Sequence, residues 1–394
     1  ILHKYSPFLF MALLAHFDAD AFFASVEQAA DRRLRGRPVA VGGSRRGVVC
    51  SASYEARAHG VHGAMPTRKA LQCCPELVVV RGHFELYERF SDRMFDLCED
   101  MTPEVERMSI DEGYLDLRGR TETADRAVSL LRQFDREVHE GMKITVSCGL
   151  SARKRVAQIA GKAHKPHGFA VVPPGNEAAY LEYLPLRLLP GIGPAAEARL
   201  QAIGLRRIGD LVRGGADLLY PILGARTRAM LELARGEDEE PVLQEAPPPQ
   251  SFGGQTTFSE ECGCEDTVRR EAQRLLRAQL VRLRKARQRA RGLEVGIRYS
   301  DYEKASTSMN LGEPENLDAV FLPQLRVLLG KAWRRRVRLN QIHVRLTRLY
   351  PDWEQGRLFD ETRKRARDVC AALDAINARF GEGTLQAASL LDSP

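Results

Sequence analysis

Ala15-His16-Phe17-Asp18-Ala19-Asp20-Ala21-Phe22-Phe23 and Ser109-Ile110-Asp111-Glu112-Gly113-Tyr114-Leu115-Asp116-Leu117 are the stretches on which the reading of this chain turns. Met11 to Phe17 is nearly all apolar, and Asp18 is the first acid after it. A carboxylate at the end of a core strand is costly unless its charge is offset. A divalent cation offsets it, and hard oxygen donors suit magnesium or manganese. Adjacent side chains of a regular strand point to opposite faces, so Asp111 and Glu112 could not both serve one ion from such a strand. A hairpin corner removes the difficulty, and Gly113 is a residue that permits one. Val105, Arg107 and Ser109 alternate with Glu106, Met108 and Ile110 before the corner, and Tyr114, Leu115 and Leu117 follow it. The expectation is strand, Asp-Glu corner, strand. Three carboxylates around paired metals make a phosphoryl-transfer site. The bland alternative is a set of ordinary strand-end and turn acids.

The neighbours of these acids narrow the choice. Asp18–Glu27 (DADAFFASVE) and Ser109–Asp116 (SIDEGYLD) resemble the two catalytic motifs of the Y-family translesion DNA polymerases, closest to the bacterial DNA polymerase IV (DinB-type) branch. Cys50–Arg57 (CSASYEAR), followed by Gly60–Pro66 (GVHGAMP), resembles the family's fingers motif, and Lys165–Gly168 (KPHG) its palm lysine loop. The likeness runs in order from Met11 to Tyr350, most of the chain. It departs from the commonest family wording at Ala21, Gly113 and His164.

The resemblance implies an α/β multidomain fold of right-hand polymerase architecture, with palm, small fingers, helical thumb and α/β little finger. It implies a template-directed DNA polymerase of low fidelity that copies past damaged bases, a cytoplasmic monomer acting on primer–template DNA and deoxynucleoside triphosphates. The reaction would be attack of a primer 3′-hydroxyl on the α-phosphate, releasing pyrophosphate. Asp18 and Asp111 would bridge two Mg2+ ions, for which Mn2+ can substitute. Glu112 and the Ala19 carbonyl would complete the set. Tyr54, Arg57 and Lys165 would hold the β- and γ-phosphates. Phe23 matches the position of a sugar gate that would clash with a 2′-hydroxyl, whereas Phe22 reads as core. Asp20 and Asp116 read as supporting acids. Cys50, Ser51, Ala52, Ser53, Gly63 and Ala64 would form a small-residue lid that leaves room around the nascent base pair.

A chain of 394 residues is too long for one compact core and predicts two to four domains. A formal charge of +7 and a pI near 9.0 favour a polyanionic partner. No run of 18 apolar residues exists, which excludes a helical membrane span. Residues 1–10 are too short for a cleavable signal and read as lying before the true start at Met11 or as a remnant. The eight cysteines are scattered, and Cys262 with Cys264 lacks a His-rich partner, so no zinc motif is present. Reduced, mostly buried thiols are expected.

Residues 11–29 and 83–174 read as palm and 30–82 as fingers, with Val39–Val41 a short strand and Tyr54 and Arg57 on a helix. Lys143–Gly149 reads as a strand, Ser151 as the cap of the next helix, and Pro166 with Gly168 as its end. Residues 175–235 read as thumb. There Gly191 and Gly193, in Leu189–Pro194, resemble a helix-hairpin-helix that would hold a DNA phosphate through backbone amides. Residues 236–250, dense in acid and proline, read as a linker without a packed element. Residues 251–350 form a basic final domain with strand-like runs at Leu293–Tyr299 and Ile342–Leu346. Ten basic residues crowd 269–291, among them Arg282 and Arg284, and Arg335 and Arg336 belong to a second cluster at 331–338. Such a one-signed excess favours a phosphate-backbone surface over a merely solvated helix face. The tail, 351–394, holds Gln355, Leu358 and Phe359 in a short pattern that resembles a sliding-clamp-binding peptide, with local packing as its alternative. Two other functions compete. A non-catalytic DNA-bound adaptor would lack the acids that are present here, and a nucleotidyl cyclase would leave the helix-hairpin-helix and basic domain unexplained.

Overall fold

In a computed structural model, which describes residues 13–43, 47–121, 123–245, 248–352, 361–381 and 383–385, the first apolar run forms β1 (Leu14–Ala19) and leads into α1 (Phe22–Ala30). An excursion follows through β2 (Val39–Gly42), β3 (Val49–Ala52), α2 (Tyr54–Ala58), α3 (Thr67–Cys73) and β4 (Val78–Val80). The chain returns by α4 (Phe84–Met101), β5 (Val105–Arg107), β6 (Glu112–Asp116), α5 (Ala124–Glu137), β7 (Val146–Ser151), α6 (Lys154–Ala163) and β8 (Phe169–Val172). Four helices come next: α7 (Glu177–Glu182), α8 (Pro194–Ala202), α9 (Ile208–Leu223) and α10 (Thr227–Ala234). These elements form one compact unit, and residues from 247 onward form a second.

β1 is the centre of a five-stranded sheet of order β5-β6-β1-β7-β8, antiparallel to both neighbours. Strand alternation divides its residues between two faces. Ala15, Phe17 and Ala19 join the core with Phe95 of α4 and Phe134 of α5. His16 and Asp18 lie on the other face, where α6 packs. That packing requires glycine at 149, since a Cβ there would lie 2.0 Å from the Ala157 carbonyl oxygen of α6.

The excursion is a small sheet of order β3-β2-β4 over its own core of Ala40, Val49, Ala56, Val61 and Ala70. Ser53 caps α2 by accepting from Ala56 N at 3.3 Å, which starts the helix at Tyr54. The four later helices bury Leu189, Ile192, Leu200, Ile208 and Leu231. Gly191 is left-handed at φ 96°, and Pro194 opens α8 behind Gly193.

The second unit holds β9 (Ser251–Cys262), α11 (Glu265–Lys285), β10 (Gln288–Tyr299), β11 (Lys304–Glu315), α12 (Asp318–Ala332), β12 (Leu339–Pro351) and α13 (Glu361–Phe380). Its antiparallel sheet has the order β11-β10-β12-β9, and α11 and α12 cover one face. The opposite face is polar. Lys304, Arg298, Gln341 and Thr257 form one cross-strand row, and Ser306, Gly296, His343 and Gln255 the next.

Several expectations need correction. Gly113 does not make the corner. β5 ends at Arg107, residues 108–111 turn, and Gly113 lies within β6 opposite Phe17. A Cβ on Gly113 would lie 2.8 Å from the Phe95 ring and 3.0 Å from that of Phe17, so glycine is needed there for close packing. Lys143 is left-handed at φ 60°, and β7 begins only at Val146. Ser151 ends β7 and accepts from Arg153 N, while α6 begins at Lys154 with no side-chain cap. β9 and β11, unforeseen as strands, are the sheet's edges, where one face of each strand carries polar residues. The arginine-rich helix stops at Lys285, and Arg289 and Arg291 belong to β10. Of the eight thiols, all free, four are buried and three exposed.

The stretch read as a linker forms no helix or strand among its described residues, yet residues 238–243 are bound to the sheet domain. Glu106 and Lys154, both buried, pair at 2.6 Å. Lys154 also donates to the Pro241 carbonyl, and Glu106 accepts from Leu243 N at 2.7 Å. Arg155 adds bonds to Asp238 and Glu240. A buried pair of charges is tolerable because these further partners satisfy it.

Candidate active site

β1 and β6 run antiparallel with Asp18 opposite Glu112 and His16 opposite Tyr114, so all four side chains share the α6 face. Asp111 precedes β6 at the corner. Its carbonyl accepts from Ala19 N at 2.9 Å, which ties the corner to the end of β1. Ser109 holds the turn: its hydroxyl donates to Asp111 Oδ1 at 2.5 Å and accepts from Glu112 N. The difficulty that neighbouring residues face opposite ways is thus resolved by a turn that ends at Asp111.

A cleft of about 210 Å³ gathers most of the candidate residues, with Glu112 and Tyr54 outside its lining. Asp18, Ala19, Asp111, Arg57, Lys165 and Phe23 all line it. Cys50, Ser51, Ala52 and Gly63 form part of its wall, whereas Ser53 and Ala64 do not line it. Tyr54 stands beside it, with the Arg57 guanidinium 4.6 Å above its ring. The Tyr54 hydroxyl is buried without a hydrogen-bond partner among the described residues. Burial, and then the charge of Asp20, push it up to about 12, so it remains a donor.

The electrostatics follow from burial and from α6. Burial raises the Asp18 carboxyl to about 6, against the opposing pull of Lys165 and Lys162. Lys165 bonds directly to Asp18 Oδ1. Lys162, which the sequence reading did not single out, lies 2.7 Å from Glu112 Oε2 and 3.7 Å from Asp18 Oδ2. His16 is fully buried, with Nε2 3.5 Å from Glu112 Oε2, and burial lowers its pKa to about 4, so the ring is neutral. His16 and then Lys162 hold the Glu112 carboxyl well below the usual carboxylate range. Neither His16 nor Lys162 belongs to a recognisable motif. A polar residue inside the apolar run of β1 was the one available signal for His16.

Asp20 is a structural acid. It is 1% exposed and accepts from Thr145, Ser147 and the backbone N–H of His167, thereby fastening the loop that carries Lys165. Asp116 lies at the other end of β6, paired with Arg118 and away from the cleft. Phe22 is 3% exposed, as a core residue should be. Phe23 is half-buried and stacks on Tyr87, ring centres 4.5 Å apart and planes at 18°. Tyr87 is fixed in turn, since its hydroxyl donates to the buried carboxylate of Glu27 at 2.5 Å.

Asp18, Asp111, Glu112 and the Ala19 carbonyl offer only hard oxygen donors, an arrangement that fits magnesium or manganese. The orphaned hydroxyl of Tyr54, beside Arg57, fits a triphosphate oxygen.

The expected nucleic-acid contacts fare unevenly. Gly193 is the N-cap of α8, and Gly191 lies two residues before it. Arg284 is not available to DNA: its side chain is 15% exposed and neutralised by Asp318 and Asp374. Arg335 pairs with Asp301 at 2.5 Å, while Arg282 and Arg336 are exposed. Elsewhere on α11, Arg274 pairs with Glu271 and Arg269 with Asp266. Gln355, Leu358 and Phe359 lie outside the described residues. Among the described residues no helix is long and apolar enough to cross a membrane.

Comparison with known proteins gives the family of the chain. A family model described as the impB/mucB/samB family matches residues 17–162, and the model of that family's C-terminal domain matches residues 249–358. DNA polymerase IV of Opitutus terrae is 38% identical over 380 residues, covering 96% of this chain and 97% of the relative. DNA polymerase IV of Halorhodospira halophila is 35% identical over 350 residues, 88% of this chain and 98% of the relative. Among solved structures, a Y-family DNA polymerase chimera of Dbh and Dpo4 superposes with a TM-score of 0.75 at 27% identity, covering 86% of this chain and 99% of the chimera. The insertion ternary complex of Dbh DNA polymerase gives a TM-score of 0.63 at 28% identity, with the same coverage of both chains, 86% and 99%.

Proposed function

Because this chain belongs to the impB/mucB/samB family, the Y-family DNA polymerases, and is a DNA-directed DNA polymerase, we propose that it extends primers past damaged template bases with low fidelity, by nucleotidyl transfer assisted by two divalent ions. The observation that carries the proposal is the pairing of Asp18 with Glu112 across β1 and β6, with Asp111 at the corner and Arg57, Lys165 and Phe23 around the same cleft. Two Mg2+ ions, or Mn2+ in their place, held by Asp18, Asp111, Glu112 and the Ala19 carbonyl, would supply activation of the primer hydroxyl and charge neutralisation at the triphosphate.

The chain's own residues do the rest. Lys165 and Arg57 bind the β- and γ-phosphates, one as a point charge and the other as a planar fork. Tyr54 donates its buried hydroxyl to the same phosphates. An unpaired buried hydroxyl costs about 1–3 kcal/mol, which a phosphate acceptor removes. Asp20 positions Lys165 through the 165–168 loop. Phe23, backed by Tyr87, excludes a 2′-hydroxyl. The small residues of β3 leave the nascent base pair loosely enclosed, which supports tolerance of damaged templates. The test is extension of a primed template, undamaged and damaged, with each deoxynucleotide alone and with or without Mg2+. Failure to extend either template with Mg2+ present would refute the assignment.

Primer–template DNA has a better surface than the helix arginines, which are largely ion-paired. The open sheet face presents Lys304, Arg298, bonded to Asn340, and Arg345, 4.0 Å from Glu294, among small and polar residues. Gly253 lies exposed on β9, directly opposite Arg345 of β12. Gly191 and Gly193 would hold a further phosphate by backbone amides. Lys304→Ala and Arg345→Ala should each weaken DNA binding and lower the slope of log affinity against log salt by about 0.9. Unchanged slopes, with Arg282 and Arg336 variants lowering theirs, would return the DNA surface to the helical side.

Gln355, Leu358 and Phe359 would dock a sliding clamp, with the Leu-Phe pair as apolar anchor. Alanine at all three should abolish clamp stimulation and spare clamp-free extension. A triple variant that is destabilised yet still stimulated would make these residues packing contacts.

A further inference from the structure

Lys162 has no part in the roles assigned above. It projects from α6 into the acid pair, with Nζ 2.7 Å from Glu112 Oε2 and 3.7 Å from Asp18 Oδ2. Lys165, one turn later, takes the other oxygen of Asp18. On the far side of Glu112 stands the buried ring of His16, with Nε2 3.5 Å from Oε2. The Lys162 ammonium therefore already binds one oxygen of each of two acids assigned to the divalent ions.

We propose that Lys162 is a built-in counter-ion that competes with the divalent ions for Asp18 and Glu112, and so sets the metal affinity of the site. The inference rests on the two-ion reading given above. An ammonium at these distances has two alternatives when a dication is bound to the same carboxylates. It remains within a few ångströms of the dication and is repelled, or it leaves and gives up its ion pairs. Its side chain is 33% exposed, so departure into solvent is open to it and is the cheaper alternative. Either way, metal binding is weaker than three carboxylates alone would give. An incoming triphosphate reverses the balance, because its oxygens offer the lysine another partner. Full metal occupancy is then coupled to nucleotide binding. The carboxylates, meanwhile, are not left as an uncompensated negative cluster when nucleotide is absent.

The experiment is a Mn2+ titration of the full chain without DNA or nucleotide, with free Mn2+ read by electron paramagnetic resonance. Lys162→Met should bind Mn2+ roughly 5- to 30-fold more tightly, the range expected for loss of one partly exposed competing charge. Lys162→Gln should shift affinity the same way, which keeps the test decisive if the methionine variant folds poorly. Lys162→Arg retains the charge and should stay near the parent value, an outcome that a merely structural role for the side chain does not require. The Mg2+ concentration for half-maximal extension should fall in parallel in the neutral variants. Parent-like or weaker Mn2+ binding by both neutral variants would overturn the proposal. A Glu112→Gln protein that binds Mn2+ as the parent does would overturn the two-ion reading itself. Loss of binding in that variant, with no tightening in the neutral Lys162 variants, would leave the two-ion reading standing and remove Lys162 from it.

Discussion

Asp111→Asn and Glu112→Gln proteins are expected to extend a primer at least about a thousand-fold more slowly than the parent, a loss of about 4 kcal/mol of transition-state stabilisation. Each substitution keeps the side-chain shape and removes one negative charge from the set that would hold the ions. DNA affinity should change little, because the open sheet face and the Gly191–Gly193 turn are untouched. Stability should also hold, since neither side chain belongs to the apolar core. Single-turnover extension measured beside DNA binding by fluorescence anisotropy separates the effects. Rates within tenfold of the parent for both variants would remove these acids from the chemistry.

Truncation of Phe23 should act on selectivity. Phe23→Ala is expected to raise incorporation of ribonucleotides relative to deoxynucleotides by roughly 5- to 150-fold, the equivalent of relieving a ~1–3 kcal/mol clash. The ring has a firm backing. Tyr87 lies parallel behind it, and Glu27 holds the Tyr87 hydroxyl while also accepting from His83 at 2.9 Å. A gate backed in this way cannot retreat when a 2′-hydroxyl approaches. Single-nucleotide kinetics with matched deoxy- and ribonucleoside triphosphates give the ratio directly. If the ratio is unchanged while thermal stability falls, Phe23 is a packing residue and the sugar is read elsewhere.

Much of this protein was legible from local pattern. The apolar run before Asp18 determined a buried strand, because its residues had no other way to leave water. The Asp111-Glu112 pair demanded a turn, because a straight strand would aim the two acids apart. Tyr54 and Arg57 fall on one short helix, as read, and Pro194 behind Gly193 opened α8. The order of motifs along the chain pointed to the polymerase fold and its activity. Each of these signals acts over a few residues, through backbone geometry or the cost of burying a polar group, and so is present in any stretch read by itself.

The tertiary structure decided what depends on residues far apart in the chain. Asp18 meets Glu112 only because β1 and β6 pair in one register, and Lys162 reaches both only because α6 crosses that face. Gly113 looked like a turn residue, but the aromatic rings of Phe17 and Phe95 leave no room for a Cβ at that point. Arg284 looked like a phosphate contact until Asp318 and Asp374, remote in sequence, took its charge. The acid-rich stretch around Asp238 looked unattached until the buried pair of Glu106 and Lys154 held it. Charge and composition are properties of a segment, whereas neutralisation and burial belong to the partners that folding brings to it.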